Sequence, residues 1–584
     1  MHWLKKPPAL IALSAVACSL IVGFVVSITM HFYQNTQPIW VEQAAYGQWP
    51  MVTFLSHIKQ QGLLSAIQES LANPFALQNR HLLQIWTLGI FVPSLLGDFN
   101  APLFVVLPMF SIFLGLFGWT VYKRTAHIGY SAASILLFCG LAHLTRHHWG
   151  LGSGFADWQS MLLLSTAALC LLNGLMRSGL GWIRAFAVLV TLAVFARSTA
   201  AFYAAIICGP ILLIYLLKQY NEVHSLKPLG VTLINILIIT FPAILIVATQ
   251  LSNWLLYYSP SHASQLRQPL SISASNIFFT LLRPFMGLPL IIACITLFAL
   301  HAFWATDRRS LAWIPFKMTH AKGNTVGEPS AGSSRFNGTD LKTKLAMIWW
   351  GVGFLAFLLF NGYTSDVPKE VMYMTPPLLL AAVALFPLDG RGKSKTLNLL
   401  VLSMVVFSVV NFGWNAYESI RFARKVDKES MARRQVQREL AQVISAQPEG
   451  ITWQSYTSVD WGIPVALFTH YEFERFRSYG GADFYNNKNY WDTWYPGLSL
   501  DQLQHQLYAR TTDCVDAVVI LQEPQKQPDG MEDYSYSLAA FVAAHVLSDP
   551  RWQPLHEMDG FPFGTRYGIY LNTEATHSST CLGD

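Results

Sequence analysis

Two acidic residues in this chain have the type and setting for acid–base chemistry at a membrane surface. Glu42 stands in QPIWVEQAAYGQWP with Tyr46 four residues on, so that on a helix the two share a face. A carboxylate at a membrane boundary beneath apolar neighbours has a raised pKa, which suits a general base near neutrality. A solvated loop glutamate is the plainer reading of the same residue. Asp157 stands in LTRHHWGLGSGFADWQS, behind the dense cationic or proton-accepting cluster of Arg146, His147 and His148. At a helix start it equally serves as a cap or dipole partner. Arg197, in VFARSTAAF, interrupts an apolar stretch and must snorkel, pair or meet an anion. Lys369 and Glu370 lie side by side in SDVPKEVMYMTPP and can pair with each other. Arg146, Arg197 and Lys369 together could hold a phosphate. The glycine-rich GLGSG is not a nucleotide loop, because no strand precedes it and no Lys-Ser/Thr follows.

The elements that must position these groups are membrane helices. The chain has 584 residues, 53% of them hydrophobic and 12% charged, with mean hydropathy +0.35. Runs of the length that a hydrocarbon core requires recur at about 8–32, 103–122, 128–144, 158–175, 183–197, 199–218, 229–251, 285–305, 344–361, 372–388 and 397–415. The run 82–96 is shorter and carries Pro93, so it reads as a helix lying at the interface. With it excluded, Lys5/Lys6, Lys123/Arg124, Arg177/Arg184, Lys218/Lys227, Arg308/Arg309 and Arg391/Lys393/Lys395 all fall on one side, the cytoplasm. The expectation is an N-terminus inside, a C-terminus outside and an uncleaved first helix. The first 415 positions hold only eleven acidic residues against 25 Lys or Arg. Six of the eleven (Glu42, Glu69, Asp98, Asp157, Asp366 and Glu370) fall on the outer face.

From residue 416 the balance reverses, to 14 Lys or Arg against 22 Asp or Glu. The overall excess of +6 is therefore positive-inside bias and not affinity for nucleic acid. Residues 1–415 are expected to form the transmembrane part, with a first outer loop at 33–102 carrying interfacial helices, and 416–584 a small periplasmic α/β domain. Its strands are expected at ITWQSY, DAVVIL and YGIYL, with a helix at LSLDQLQHQLYAR. Cys514 and Cys581 are the only cysteines of that region, and an oxidising compartment would permit a bridge between them. The other five, Cys18, Cys139, Cys170, Cys208 and Cys294, read as packing residues. No metal-spaced Cys/His set is present in the sequence.

The order of these features resembles the GT-C superfamily of polyprenyl-phosphate-sugar glycosyltransferases, the aminoarabinose and protein O-mannosyl transferases in particular. WVEQAAY resembles the family's acidic motif after span one, and LLQIWTLGIFVPSLLGDFNAP its interfacial helices. LFGWTVYKRT, GFADWQS, ARSTAAF and PKEVMYMTPPLLL resemble its later elements in order. Val41 stands where the family often has the first of two acids, and Asn79-Arg80-His81-Leu82 replaces its His-Pro-Pro-Leu.

The resemblance implies an inverting transfer of a sugar from a polyprenyl phosphate to an acceptor (lipid, glycan or protein) on the outer face of a bacterial inner membrane. Glu42 would be the base, and Asp157 would orient acceptor or head group. A divalent cation, if one is needed, would sit at Glu42 and Asp157. Arg197, Lys369 and Arg146 would face the departing phosphate, with His147, His148, Tyr46 and Arg80 lining the same region. A glycan polymerase or ligase, a secondary transporter and a non-catalytic envelope scaffold are the alternative readings.

Overall fold

The computed structural model describes residues 7–33, 49–72, 82–92, 101–140, 142–145, 150–151, 156–176, 179–198, 200–257, 395–448, 453–456, 476–479, 499–522, 544–558 and 566–574, with Ile451 and Phe541. Its helices follow the apolar runs. They are α1 (Pro7–Tyr33), α2 (Trp49–Gln61), α3 (Leu63–Ala72), α4 (Leu82–Phe91), α5 (Ala101–Thr125) and α6 (Ile128–Cys139). After the single turn α7 (Ala142–Thr145) come α8 (Ala156–Met176), α9 (Leu180–Ala196), α10 (Ala200–Val223), α11 (Lys227–Tyr257) and α12 (Lys395–Ser445). Among the described residues four helices are long and apolar enough to cross a membrane, beginning at Pro7, Leu103, Trp158 and Lys227. Pro108, Pro210 and Pro242 sit inside α5, α10 and α11, as spanning helices tolerate.

Helix α8 is the centre of the bundle, and its apolar window is 94% buried. A single core joins it to α1, α5, α6, α9 and α10, with Phe110, Phe113, Phe117 and Phe138 packed ring on ring between α5 and α6. Leu13, Leu20, Phe24, Ile112 and Ile238 face outward, as expected where the solvent is lipid. Small residues set the spacing. A Cβ on Gly118 would lie 2.5 Å from Ile135 Cδ1 and 3.0 Å from Ile11 Cγ2, so its absence lets α1, α5 and α6 meet. Side-chain amides and hydroxyls tie the helices further: Asn173 Nδ2 donates to Thr120 Oγ1 at 2.8 Å and Ser131 Oγ to Gly118 O at 2.6 Å.

These contacts also fix direction. Gly23 meets Leu107 and Gly115 meets Ala15, so α1 and α5 run antiparallel. Helices α6 and α12 run alongside each other in one sense, because Gly129 meets Val401 while Gly140 meets Ser408. Lys218 Nζ caps Leu175 O at 2.6 Å, Arg184 Nε bonds Asn235 Oδ1 at 3.1 Å, and Thr232 Oγ1 bonds Gln219 Oε1 at 3.1 Å. Lys123, Arg184, Lys218, Lys227 and Lys395 therefore gather at one end of the bundle, the basic end. The chain from Tyr33, Thr145, Asp157 and Arg197 lies at the other, the far end.

One element differs from expectation. The run 128–144 is not one helix: α6 stops at Cys139, and Gly140 closes it with its N–H on Leu136 O. The Gly140 carbonyl is instead taken by Asn411 Nδ2 and by Asn415 Nδ2, the latter at 3.1 Å. Helix α12 is 51 residues in all, about 77 Å at 1.5 Å per residue, so the apolar run 397–415 and the charged helical stretch expected at 416–446 form one helix. Its composition changes along its length while its backbone does not. The runs 285–305, 344–361 and 372–388 lie outside the described residues.

Beyond α12 lies a five-stranded sheet of β1 (Trp453–Tyr456), β2 (Phe476–Tyr479), β3 (Ala517–Gln522), β4 (Trp552–Met558) and β5 (Arg566–Asn572). The order is β2-β1-β3-β5-β4, parallel across β2, β1 and β3 and antiparallel at β3–β5 and β5–β4. Strand β3 is buried on both faces, which is why AVVILQ has no polar alternation until its end. Edge strand β4 holds Pro554 beside a bulge, where a missing N–H is harmless. Helix α13 (Leu500–Cys514) is started by a reciprocal capping box of Ser499 and Gln502. It ends at Cys514, which is disulfide-bonded.

Asp549 ties α13 to β4. It accepts from Tyr508 Oη at 2.8 Å and from Arg551 Nη2 at 2.6 Å. The Arg551 guanidinium holds the Asp549 carboxyl well below the usual carboxylate range, and burial, aided by Asp549, pushes the Tyr508 hydroxyl up to about 12. A depressed carboxylate contributes stability above its unfolded value, about 4, and loses it as the pH falls. Asp549→Asn should therefore lower the Tm of the full protein at pH 7, with the gap to wild type closing below about pH 4. A gap unchanged across that range would contradict the assignment.

Candidate functional site

Helix α4 organises the far end. At ten residues it is about 15 Å long, half of what a bilayer core needs. Its stop before Pro93 follows from the clash of a proline ring with a preceding helical residue. Leu82, Ile85, Leu88 and Gly89 are buried, while Ile90 and Phe91 are exposed. The buried side packs on Phe54 of α2 and Ala66 of α3, and Gly89 leaves room for the Phe54 ring, 2.6 Å from where a Cβ would stand. Trp86 Nε1 donates to Ser70 Oγ at 3.0 Å, locking α4 to α3. His57 Nδ1 of α2 lies 3.2 Å from Glu69 Oε2 of α3, off the line of a hydrogen bond.

From this layer α4 reaches the close chain neighbours of two sequence-predicted site residues, Asp157 and Arg197. Gln84 Oε1 accepts from Gln159 Nε2, and both side chains are fully buried. Gln159 is two residues past Asp157, in the first turn of α8. The Trp86 ring lies 5.3 Å from that of Phe195, two residues before Arg197. Arg197 closes α9 with extended backbone, φ −155° and ψ 120°, and its carbonyl accepts from Ala200 N at 2.9 Å. Helices α8 and α10 run in parallel register, with Cys208 Sγ near Leu164 O and Lys218 Nζ on Leu175 O. Carried back to their first turns, this register sets Asp157 level with Ala200, one turn from Arg197. Asp157 and Arg197 are thus brought to one end of the bundle with α4 spanning between their neighbours.

A helix N-terminus places partial positive charge at residue 157, and Arg197 stands half-buried at the same end of the bundle, so the region favours an anion. Among the described residues the buried Gln159 Oε1 and Ser160 Oγ have no hydrogen-bond partner. Both are acceptors, and Ser160 is also a donor, beside the same first turn. Glu42, Tyr46, Arg80, Arg146, His147, His148, Lys369 and Cys581 lie outside the described residues. Cys514 is described and bonded, with its partner outside them. Among the described residues no group of three or more His, Cys, Asp or Glu side chains stands close enough to hold a metal ion. The sequence reading passed over Gln84, Trp86, Gln159 and Phe195. Their signal was present, since a glutamine inside LLQIWTLGIF and another in DWQSMLLL each require a partner once buried.

The architecture is that of a polytopic α-helical membrane protein, with a layer of short helices laid on one end of the bundle. It is similar to the crystal structure of ArnT from Cupriavidus metallidurans in the apo state, with a TM-score of 0.53 and 12% sequence identity over 98% of each chain. That likeness is one of fold. No protein-family model matches the sequence, and no curated protein matches it either.

The Gln84–Gln159 pair makes a separable prediction. Gln84→Leu or Gln159→Leu alone leaves one amide buried and unpaired, destabilising by about 1–3 kcal/mol. The double Leu variant should recover most of that loss, measured as Tm in detergent through a double-mutant cycle. Additive losses in the double variant would contradict a direct pairing.

Proposed function

We propose that the chain is a membrane glycosyltransferase that moves a sugar from a polyprenyl phosphate to an acceptor at the far end of the bundle. The observation that carries the reading is that α4 contacts Gln159 and Phe195, two residues from Asp157 and Arg197, at one end of a bundle similar in fold to ArnT. The motif order WVEQAAY, GFADWQS, ARSTAAF supports it independently. The gathering of Lys123, Arg184, Lys218, Lys227 and Lys395 at the opposite end supports, by the positive-inside rule, a far end outside the cytoplasm. The C-terminal sheet then faces an oxidising compartment, and Cys581 is the natural partner for Cys514.

In the proposed reaction Glu42 accepts the proton of an acceptor hydroxyl as its oxygen attacks the anomeric carbon. The bond from that carbon to the phosphate oxygen breaks, configuration inverts, and the polyprenyl phosphate departs with the electron pair. Arg197, with Lys369 and Arg146, stabilises the charge on the departing phosphate in a site shielded from water. Asp157 orients the acceptor or the sugar, fixed in height by the Gln159–Gln84 bond. Single carboxylate chemistry at Glu42 is consistent with Val41 standing where a second acid would be.

Full-length protein reconstituted in lipid, offered a panel of polyprenyl-phosphate sugars and membrane acceptors, should release polyprenyl phosphate. Glu42→Gln should lower turnover by at least about a hundredfold while still binding the lipid phosphate. Arg197→Gln should weaken that binding. Undiminished turnover by Glu42→Gln would remove it from the mechanism, and absence of any lipid-phosphate binding would remove the reaction class.

A further inference from the structure

Helix α12 carries along one face a chemical profile that the transfer reaction does not use. Leu402, Val406, Val409 and Val410 are exposed apolar residues, Trp414 and Tyr417 follow, and Arg421, Arg424 and Lys425 come next. Steps of three and four residues keep them on one stripe of the helix. Trp414 and Tyr417 are each 56% exposed with ring centres 6.1 Å apart, so they are not core residues. Tyr417, Ile420, Arg421, Arg424 and Lys425 line an open cavity of about 520 Å³. The Arg424 guanidinium stands 5.4 Å from the centre of the Phe32 ring, next to the end of α1, which fixes the cavity at the far end of the bundle.

A cationic cluster at that end runs against the bias that gathers Lys and Arg at the other. Glu418 lies 3.5 Å from Arg421, but an exposed pair of this kind is worth little and leaves the lining cationic. Aromatic residues at the membrane–water boundary with cations just beyond them follow, in order, the ester region and phosphate of a lipid. From Val409 to Arg424 the helix rises about 22 Å, close to one leaflet with its head group. We propose that this stripe binds an anionic phospholipid of the far-end leaflet. Its acyl chains would lie along Leu402–Val410, its ester region on Trp414 and Tyr417, and its phosphate among Arg421, Arg424 and Lys425. The stripe lies on α12, whereas Asp157 and Arg197 stand on α8 and at the end of α9, and lipid binding here holds whatever reaction takes place there.

The test reconstitutes the full chain in nanodiscs of phosphatidylcholine, alone or mixed with phosphatidylglycerol, and reads Tm together with the lipid retained in native mass spectra. Wild type should gain a phosphatidylglycerol-dependent rise in Tm and retain that lipid, with the rise weakened at high salt. The variant R421Q/R424Q/K425Q should lose at least about tenfold in apparent affinity for phosphatidylglycerol while keeping its Tm in phosphatidylcholine alone. Should the triple variant fail to fold, Arg421→Gln, which removes only an exposed side chain, should lose about fivefold. Unchanged affinity in these variants, equal retention of phosphatidylcholine, or displacement of the retained lipid by polyprenyl phosphate would each overturn the proposal.

Discussion

An amide placed among apolar helices must find a partner, and the arrangement of the far end follows from how this chain meets that constraint. Gln84 and Gln159 each sit in an apolar stretch, and each is fully buried. By bonding to one another they hold a helix too short to span the membrane against the first turn of the most buried helix in the bundle. Two residues along, Trp86 bonds Ser70 and packs on Phe195, so the same ten residues touch α3, α8 and α9. Loss of the Gln84–Gln159 bond would leave α4 held to α8 by apolar packing alone, which sets distance less sharply than a hydrogen bond does. The placing of α4 against the start of α8 therefore depends on a polar contact.

The rest of the bundle obeys the rules of a lipid solvent. Apolar burial contributes little to helix association there, so close approach at Gly118 and amide bonds such as Asn173–Thr120 do much of the joining. Two asparagines on α12 converge on the carbonyl that Gly140 leaves open. That junction anchors the 51-residue helix to α6 next to the turn leading to Asp157. The helix then continues beyond the bundle toward the sheet without a flexible joint in its backbone. The lipid stripe proposed above lies on this same helix, opposite the asparagines in role: one face holds protein, the other meets membrane.

How far the sequence disclosed this depended on which physical signal was involved. Helix limits at Pro7–Tyr33, Ala101–Thr125, Ala156–Met176 and Lys227–Tyr257 fall within a few residues of the apolar runs, because length and hydropathy alone decide them. Helix α4 was legible as a non-spanning element from its length, Pro93 and the placement of Lys123. The break at Gly140 was not, since a glycine among apolar residues marks a stop only when another chain supplies the capping groups. Strands β3 and β5 stood out as apolar runs. The outer strands β2 and β4, reading FRSY and WQPLHEM, carry too much polarity and a proline to do so. Of the candidate site, the residue types at 157 and 197 were readable, but their placement at one end of the bundle beside α4 was not. That placement rests on Gln84 and Trp86, some seventy and a hundred residues away in the chain, and no local pattern encodes contacts of that separation.

The most direct measurement is a cryo-electron microscopy structure of the full chain with a non-hydrolysable polyprenyl-phosphate-sugar analogue. Density for the phosphate within hydrogen-bond reach of Arg197, with the sugar against the first turn of α8 and Glu42 facing its anomeric carbon, is the result predicted here. An analogue bound elsewhere, or Glu42 and Asp157 opening into separate cavities, would contradict it.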